Sequence, residues 1–128
     1  MLREREETMN KAKFVTFRQN NSGGYLHHNE DVNTYVIIEG YDLWQIQSKA
    51  REVFYEYRDY CPCCGERWSD SWIDEDDMTD KPMIYDEGVY DYKGQSWFDG
   101  EDGKAIIYYL DGRKEIVNLT KKGEMYND

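Results

Sequence analysis

The chain has 128 residues, 16% aromatic side chains, a formal net charge of −11 at pH 7 and a mean hydropathy of −0.99. This length predicts one domain with a single core, and the aromatic content excludes a disordered chain despite the low hydropathy. No apolar run approaches the roughly 18 residues of a membrane span, and no secretory signal sequence follows the N-terminus, so we expect no membrane attachment.

The negative charge is concentrated in residues 66–102, which contain 13 acidic residues and only three basic ones. Such a surface repels nucleic-acid phosphates, so direct nucleic-acid binding is not expected. It suits a partner protein with a basic surface. The alternative is a solvated segment that only keeps the protein soluble.

The N-terminal part of the chain predicts a tail followed by strands. Residues 1–12 have no apolar periodicity, and Met9 is a candidate for the native start. β-Branched and aromatic residues predict strands over 13–19 and 34–39, with a short strand over 25–28 between them. The apolar run of 34–39 is unbroken, which predicts a central strand that is buried on both faces.

A helix is predicted over residues 43–57. Asp42 is a good N-cap, and Gln45 stands three residues later, as in a capping box. The apolar residues that would face the sheet recur at helical spacing: Leu43, Ile46, Ala50, Val53 and Tyr57.

The C-terminal part predicts a hairpin. Residues 104–110 and 113–119 flank Asp111-Gly112, which is a signal for a two-residue type I′ turn. That turn would pair Tyr109 with Lys114 and Ile107 with Ile116.

The remaining segments have weaker patterns. Residues 66–103 are irregular, apart from a short edge strand predicted over 82–85 with Pro82 at its start. Residues 121–128 are predicted to be a tail. The elements together predict an α+β domain over residues 13–120. It has an antiparallel sheet of about five strands, one packed helix and a zinc knuckle after the helix.

The cysteines carry the most specific signal. Residues 61–65 read Cys-Pro-Cys-Cys-Gly, and two thiolates two residues apart in a tight turn can bind one tetrahedral zinc ion. Cys61 and Cys64 are therefore the predicted zinc ligands. Structural zinc takes about four ligands, and Cys63 and His28 are the candidates for the others. His28 shares a face of the 25–28 strand with Leu26 and would point inward.

Other arrangements of the same residues remain open. Two chains could each supply Cys61 and Cys64 to a shared four-thiolate site, which would make the protein a homodimer. A redox CxxC usually begins a helix, whereas here the predicted helix precedes the cysteines. A hydrolytic metal centre at His27 and His28 lacks a second motif, and residues 74–77 lack the spacing of an EF-hand loop. No motif of a known enzyme class is present, so we do not expect an enzyme.

The acidic segment also contains aromatic residues, which are typical anchors of protein interfaces. We therefore predict a partner-binding surface there. Its residues are Trp72, Asp74, Asp76, Asp77, Trp97 and Phe98, with Tyr90 and Tyr92 nearby in the sequence. The competing interpretation is that these rings fold back to complete the core.

Three segments resemble small uncharacterised proteins of tailed bacteriophages. They are residues 14–24, residues 35–39 before the helix, and residues 61–68 with the pattern CPCCGxRW. The resemblance implies a bacterial cytoplasm and a non-enzymatic protein that binds a host or defence protein and could inhibit it. A second hypothesis is a small-ligand binder, such as a sponge for a nucleotide signal. Its phosphates would need basic side chains: Arg18, Arg51, Arg58 and Arg67.

Overall fold

The computed structural model describes residues 11–20, 27–57, 60–61, 65–85, 87–92 and 103–119, with the backbone alone at positions 60, 61, 65 and 72. Along these ranges the elements are β1 (Lys13–Arg18), β2 (Tyr35–Gly40), α1 (Leu43–Val53), β3 (Tyr60–Cys61), β4 (Gly65–Glu66), β5 (Met83–Ile84), β6 (Glu87–Gly88), β7 (Lys104–Tyr108) and β8 (Lys114–Asn118). Short 3₁₀ turns lie at Tyr55–Tyr57, Asp70–Trp72 and Glu75–Asp77. The α+β class is confirmed. No helix in the described ranges is long and apolar enough to cross a membrane.

The main sheet has four strands in the order β1-β2-β7-β8. The outer pairs are antiparallel, but β2 and β7 run parallel, with Tyr35 opposite Ala105 and Ile38 opposite Tyr108. The prediction of an antiparallel sheet was therefore wrong. Parallel neighbours need a long crossover, and the chain between β2 and β7 supplies one that includes α1. The remaining described strands form two ribbons, β3 with β4 and β5 with β6.

Hydrophobic residues cover both faces of the sheet, because side chains alternate along each strand. The first core lies on the face that α1 covers: Val15, Phe17, Val32, Val36, Ile38, Ile46, Ala50, Phe54 and Trp68. The second core lies on the opposite face: Phe14, Tyr35, Ile37, Ile84, Val89, Ala105, Ile107 and Leu119. Strand β2 contributes to both cores, which confirms its predicted central position.

Helix α1 begins as predicted but ends earlier. The Asp42 carboxylate accepts the Gln45 backbone N–H at 2.8 Å, and the Gln45 side chain accepts the Tyr41 N–H at 2.7 Å. The α-helix ends at Val53, and a tighter 3₁₀ turn continues to Tyr57. That turn brings Tyr57 beside the ring of His27, with the ring centres 5.3 Å apart.

The hairpin forms, but with a different turn and register. The Gly112 N–H donates to the Tyr109 carbonyl at 3.0 Å, and the Tyr109 N–H donates to the Arg113 carbonyl at 2.9 Å. Gly112 has a φ of +95°. This is a three-residue loop that ends in a glycine bulge. It pairs Tyr108 with Lys114 and Ile106 with Ile116, so the predicted pairs are wrong by one residue.

Candidate functional site

The backbone on both sides of the cysteines forms a small ribbon. Cys61 lies opposite Gly65, and Tyr60 lies opposite Glu66, in an antiparallel pair. Residues 62–64 lie outside the described residues, so Cys63 and Cys64 do too. Two short paired strands on either side of the motif are compatible with the tight turn that a zinc knuckle requires. Within the described ranges, no group of three or more His, Cys, Asp or Glu residues is placed to hold a metal ion.

His28 does not point into the core. Residues 25 and 26 lie outside the description, and residues 27 and 28 are not in a strand. The Gln19 side chain replaces strand pairing here, because its Oε1 accepts the His27 N–H at 2.7 Å and its Nε2 donates to the His27 carbonyl at 3.1 Å. His28 is exposed, with its Nε2 3.4 Å from the Thr34 hydroxyl. The inward orientation predicted for His28 was therefore wrong.

Arg67 follows the ribbon and is buried, with only 1% of its surface exposed. Its Nη1 donates to Gln19 Oε1 at 2.9 Å and to the Asn20 carbonyl at 3.3 Å. Asn20 in turn donates two hydrogen bonds. Its N–H donates to the Arg67 carbonyl at 2.8 Å, and its Nδ2 donates to the Glu66 carbonyl at 3.0 Å. These bonds attach the end of β4 to the end of β1.

Trp68 anchors the same segment to the helix. Its ring stacks on Phe54 with the ring centres 4.0 Å apart and an interplanar angle of 4°. Its Nε1 donates to the Tyr57 carbonyl at 3.2 Å. Arg67 and Trp68, which we call the buried anchor, therefore hold the ribbon of β3 and β4 between β1 and the end of α1. Sequence reasoning noticed this pair only as part of a motif, because both partners of Arg67 are distant in sequence.

Arg67 is also one of the basic side chains that the small-ligand hypothesis needs in order to bind the phosphates of a nucleotide signal. Arg67 is 1% exposed and its Nη1 already donates to Gln19 and Asn20, so the side chain is not presented at the surface to a nucleotide phosphate. Arg18 and Arg51 are exposed, and Arg58 lies outside the described residues. Among the described residues, nothing in this arrangement favours the small-ligand hypothesis over a protein interface.

Four consecutive acidic residues form one exposed turn, residues 74–77, which we call the acidic turn. Asp74 Oδ1 accepts the Asp76 N–H at 2.9 Å, and Asp77 Oδ2 accepts the Asp74 N–H at 2.9 Å. These reciprocal bonds form a capping box around the 3₁₀ turn Glu75–Asp77. The carboxylates of Asp74 and Asp77 thus fix the backbone, while Glu75 and Asp76 are presented at its surface.

The acidic turn is attached to the domain on both sides. Before it, Gln47 Nε2 of α1 donates to the Asp70 carbonyl at 2.9 Å, and Ile73 packs against the first core. After it, Phe14 and Thr79 exchange two backbone hydrogen bonds, each of 2.8 Å. The segment lacks a periodic sequence because it packs through isolated residues rather than through a continuous face.

The aromatic residues of the predicted surface divide into two groups. Tyr92 folds back against Tyr35, with ring centres 5.7 Å apart and hydroxyl oxygens 3.1 Å apart, and so packs against the second core. Tyr90 is 64% exposed, and its hydroxyl donates to the Glu115 carboxylate at 2.8 Å. Only the backbone of Trp72 is described, and Trp97 and Phe98 lie outside the described residues.

Residues 12–125 match the family model described as a domain of unknown function, DUF7296. The match covers most of the chain, so the protein belongs to this family. No curated protein and no solved structure matches it significantly.

Proposed function

We propose that this member of the DUF7296 family is a non-enzymatic interaction protein that binds a partner with a basic surface through its acidic turn. The observation that carries the proposal is the capping box of Asp74 and Asp77. It holds an exposed acidic segment in one conformation before any partner arrives. A surface that is already ordered loses less conformational entropy on binding, which favours affinity.

Charge and aromatic residues have separate roles in the proposed interface. The carboxylates of the acidic turn attract a basic surface and speed the encounter. Aromatic residues would then hold the docked partner. Trp72 is the nearest of these along the chain, since its 3₁₀ turn, Asp70–Trp72, is attached to α1 just before the acidic turn. Trp97 and Phe98 complete the proposed set.

The resemblance to tailed-phage proteins supports a bacterial host protein or defence protein as the partner, bound and blocked in the host cytoplasm. A zinc ion on Cys61 and Cys64 is the structural part of the proposal. The ribbon of β3 and β4 supports it, because the backbone of Cys61 lies opposite that of Gly65, the residue that follows Cys64. Cys63 and His28 remain the candidates for further ligands, and a second chain is the alternative source.

The experiment is a capture from bacterial lysate with the full chain as bait. The matched bait is the double variant Glu75→Lys and Asp76→Lys, which reverses two exposed charges and leaves Asp74 and Asp77 in place. We expect the parent to retain a protein with a basic surface that dissociates as salt rises, and the variant to lose it. Equal retention by both baits at every salt concentration would contradict the proposal.

A further inference from the structure

A second charged surface lies far from the acidic turn in sequence. A cleft of about 320 Å³ opens where the end of α1 and the 3₁₀ turn Tyr55–Tyr57 meet β7 and the loop before β2. The side chains that matter for its chemistry are three tyrosines and three carboxylates: Tyr55, Tyr57, Tyr108, Asp31, Glu52 and Glu56.

Asp31 holds two of the tyrosines in place. The Tyr57 hydroxyl donates to Asp31 Oδ2 at 2.9 Å, and the Tyr108 hydroxyl donates to the Asp31 carbonyl at 2.5 Å. Burial raises the pKa of the Tyr108 phenol, and the hydrogen bond to Asp31 raises that of Tyr57. Both rings are therefore neutral near pH 7, and their orientation is set without a ligand. Tyr55 stands beside them with 78% of its surface exposed.

The protein's own lysines show which chemistry these groups accept. Lys49 Nζ and Lys114 Nζ each lie 5.6 Å from the ring centre of Tyr108, within the range of a cation–π contact. Lys49 also lies 3.8 Å from Glu52, and Lys114 lies 3.6 Å from Asp31. An ammonium group is thus attracted here by an aromatic ring and a carboxylate together.

The charge of the cleft leaves room for a further cation. The three carboxylates that line it outnumber the two ammonium groups beside it, since Lys49 pairs with Glu52 and Lys114 pairs with Asp31. Glu56 places a carboxylate next to the exposed ring of Tyr55 in the sequence and on the same cleft. A divalent metal is a poorer match, since the described carboxylates do not converge as a ligand set.

We propose that this cleft binds an alkylammonium ion through the carboxylates of Glu52 and Glu56 and the ring of Tyr55. Two sources have this chemistry, a lysine side chain of a protein partner and a free polyamine. The cleft and the acidic turn use different residues, so this inference does not depend on the proposed function and can fail separately.

The experiment follows backbone and tyrosine ring NMR signals of the full chain during titration. The probes are spermidine, an N-acetyl-glycyl-lysyl-glycine amide, and the same peptide with norleucine in place of lysine. We expect saturable shifts at Tyr55, Tyr57 and Tyr108 with the first two probes and none with norleucine. Tighter binding of the peptide than of spermidine would identify a protein side chain as the source, and the reverse would identify a polyamine.

Matched variants distinguish binding in the cleft from attraction by the net negative charge of the whole protein. Glu52→Gln with Glu56→Gln should weaken binding about fivefold, because each exposed charge pair contributes modestly. Glu87→Gln with Asp91→Asn removes the same charge from exposed positions elsewhere and should change nothing. Inorganic phosphate is the opposing probe, since Lys49 and Lys114 could attract an anion. The inference is overturned if neither ammonium probe shifts the cleft tyrosines, if both double variants weaken binding equally, or if phosphate alone binds there.

Discussion

The buried anchor and the acidic turn lie close together in the sequence, yet they use charge in opposite ways. Arg67 is buried, and its guanidinium holds two distant parts of the chain together. Residues 74–77 are exposed, and the carboxylates of Asp74 and Asp77 form hydrogen bonds only within the turn that they cap. The comparison shows that residue type alone does not reveal whether a charge in this stretch is buried against hydrogen-bond partners, as Arg67 is, or lies at the surface, where we propose that it acts in recognition.

The largest expected effect concerns the proposed zinc knuckle, which lies next to the buried anchor in the sequence. We expect the purified protein to contain stoichiometric zinc, and Cys61→Ser or Cys64→Ser to lose the metal and melt at a lower temperature. Structural zinc contributes on the order of 10 kcal/mol of apparent binding free energy in small peptides, so the change should be plain. Elemental analysis and thermal melts check this.

Two further variants identify the other ligands, since Cys63→Ser and His28→Ala should each lower zinc affinity only if that side chain binds the metal. The absence of stoichiometric metal, together with a Cys61→Ser variant that melts like the parent, would refute the zinc site.

Arg67→Met tests the buried anchor itself. The substitution keeps an apolar side chain in place but removes the donors to Gln19 Oε1 and the Asn20 carbonyl. We expect the free energy of unfolding to fall by about 3 kcal/mol, because hydrogen bonds from charged groups are worth about 1.5–3 kcal/mol each. Urea unfolding measures this. Arg51→Met, at an exposed position of α1, is the control and should cost less than about 0.5 kcal/mol. Equal costs for the two variants would mean that Arg67 is not an anchor.

The buried anchor is also an example of a feature that the sequence could not predict, in contrast to several of the secondary-structure elements. Strands β1 and β2 and the start of α1 follow from local patterns, because apolar periodicity and the Asp42 cap depend on neighbouring residues. The parallel pairing of β2 with β7 depends on where a long connection returns, which no local pattern encodes. The burial of Arg67 likewise depends on Gln19, a partner 48 positions away.

The hairpin turn is a second feature that the local sequence did not determine completely. Asp111-Gly112 fits both a two-residue and a three-residue loop, since both place glycine at positive φ. In the structure Asp111 Oδ1 accepts the Arg113 N–H at 3.0 Å, and Asp111 Oδ2 accepts the Arg113 Nε–H at 2.8 Å. These bonds accompany the longer loop, and they could not be inferred from the Asp-Gly signal.

Loss of the capping box should have a smaller effect on stability, and this effect should be confined to the acidic turn. Asp77→Ala removes the acceptor of the Asp74 N–H, and loss of a cap costs about 1 kcal/mol. We expect faster hydrogen exchange at the Asp74 amide, measured by NMR, with little change in global stability. Asp76→Ala is the control, because the Asp76 side chain is not part of the box. If both variants speed exchange at Asp74 equally, the box does not hold the turn.

The most direct test of the central claim is the association rate of the captured partner with three proteins at low and moderate salt. They are the parent, the double variant Glu75→Lys and Asp76→Lys, and the double variant Glu87→Lys and Asp91→Lys, which changes the net charge equally at other exposed positions. If the acidic turn is the recognition surface, only the first variant associates more slowly and loses the salt dependence of the parent. If both variants slow association equally, or neither does, the acidic turn is a solvated part of the surface and the account is contradicted.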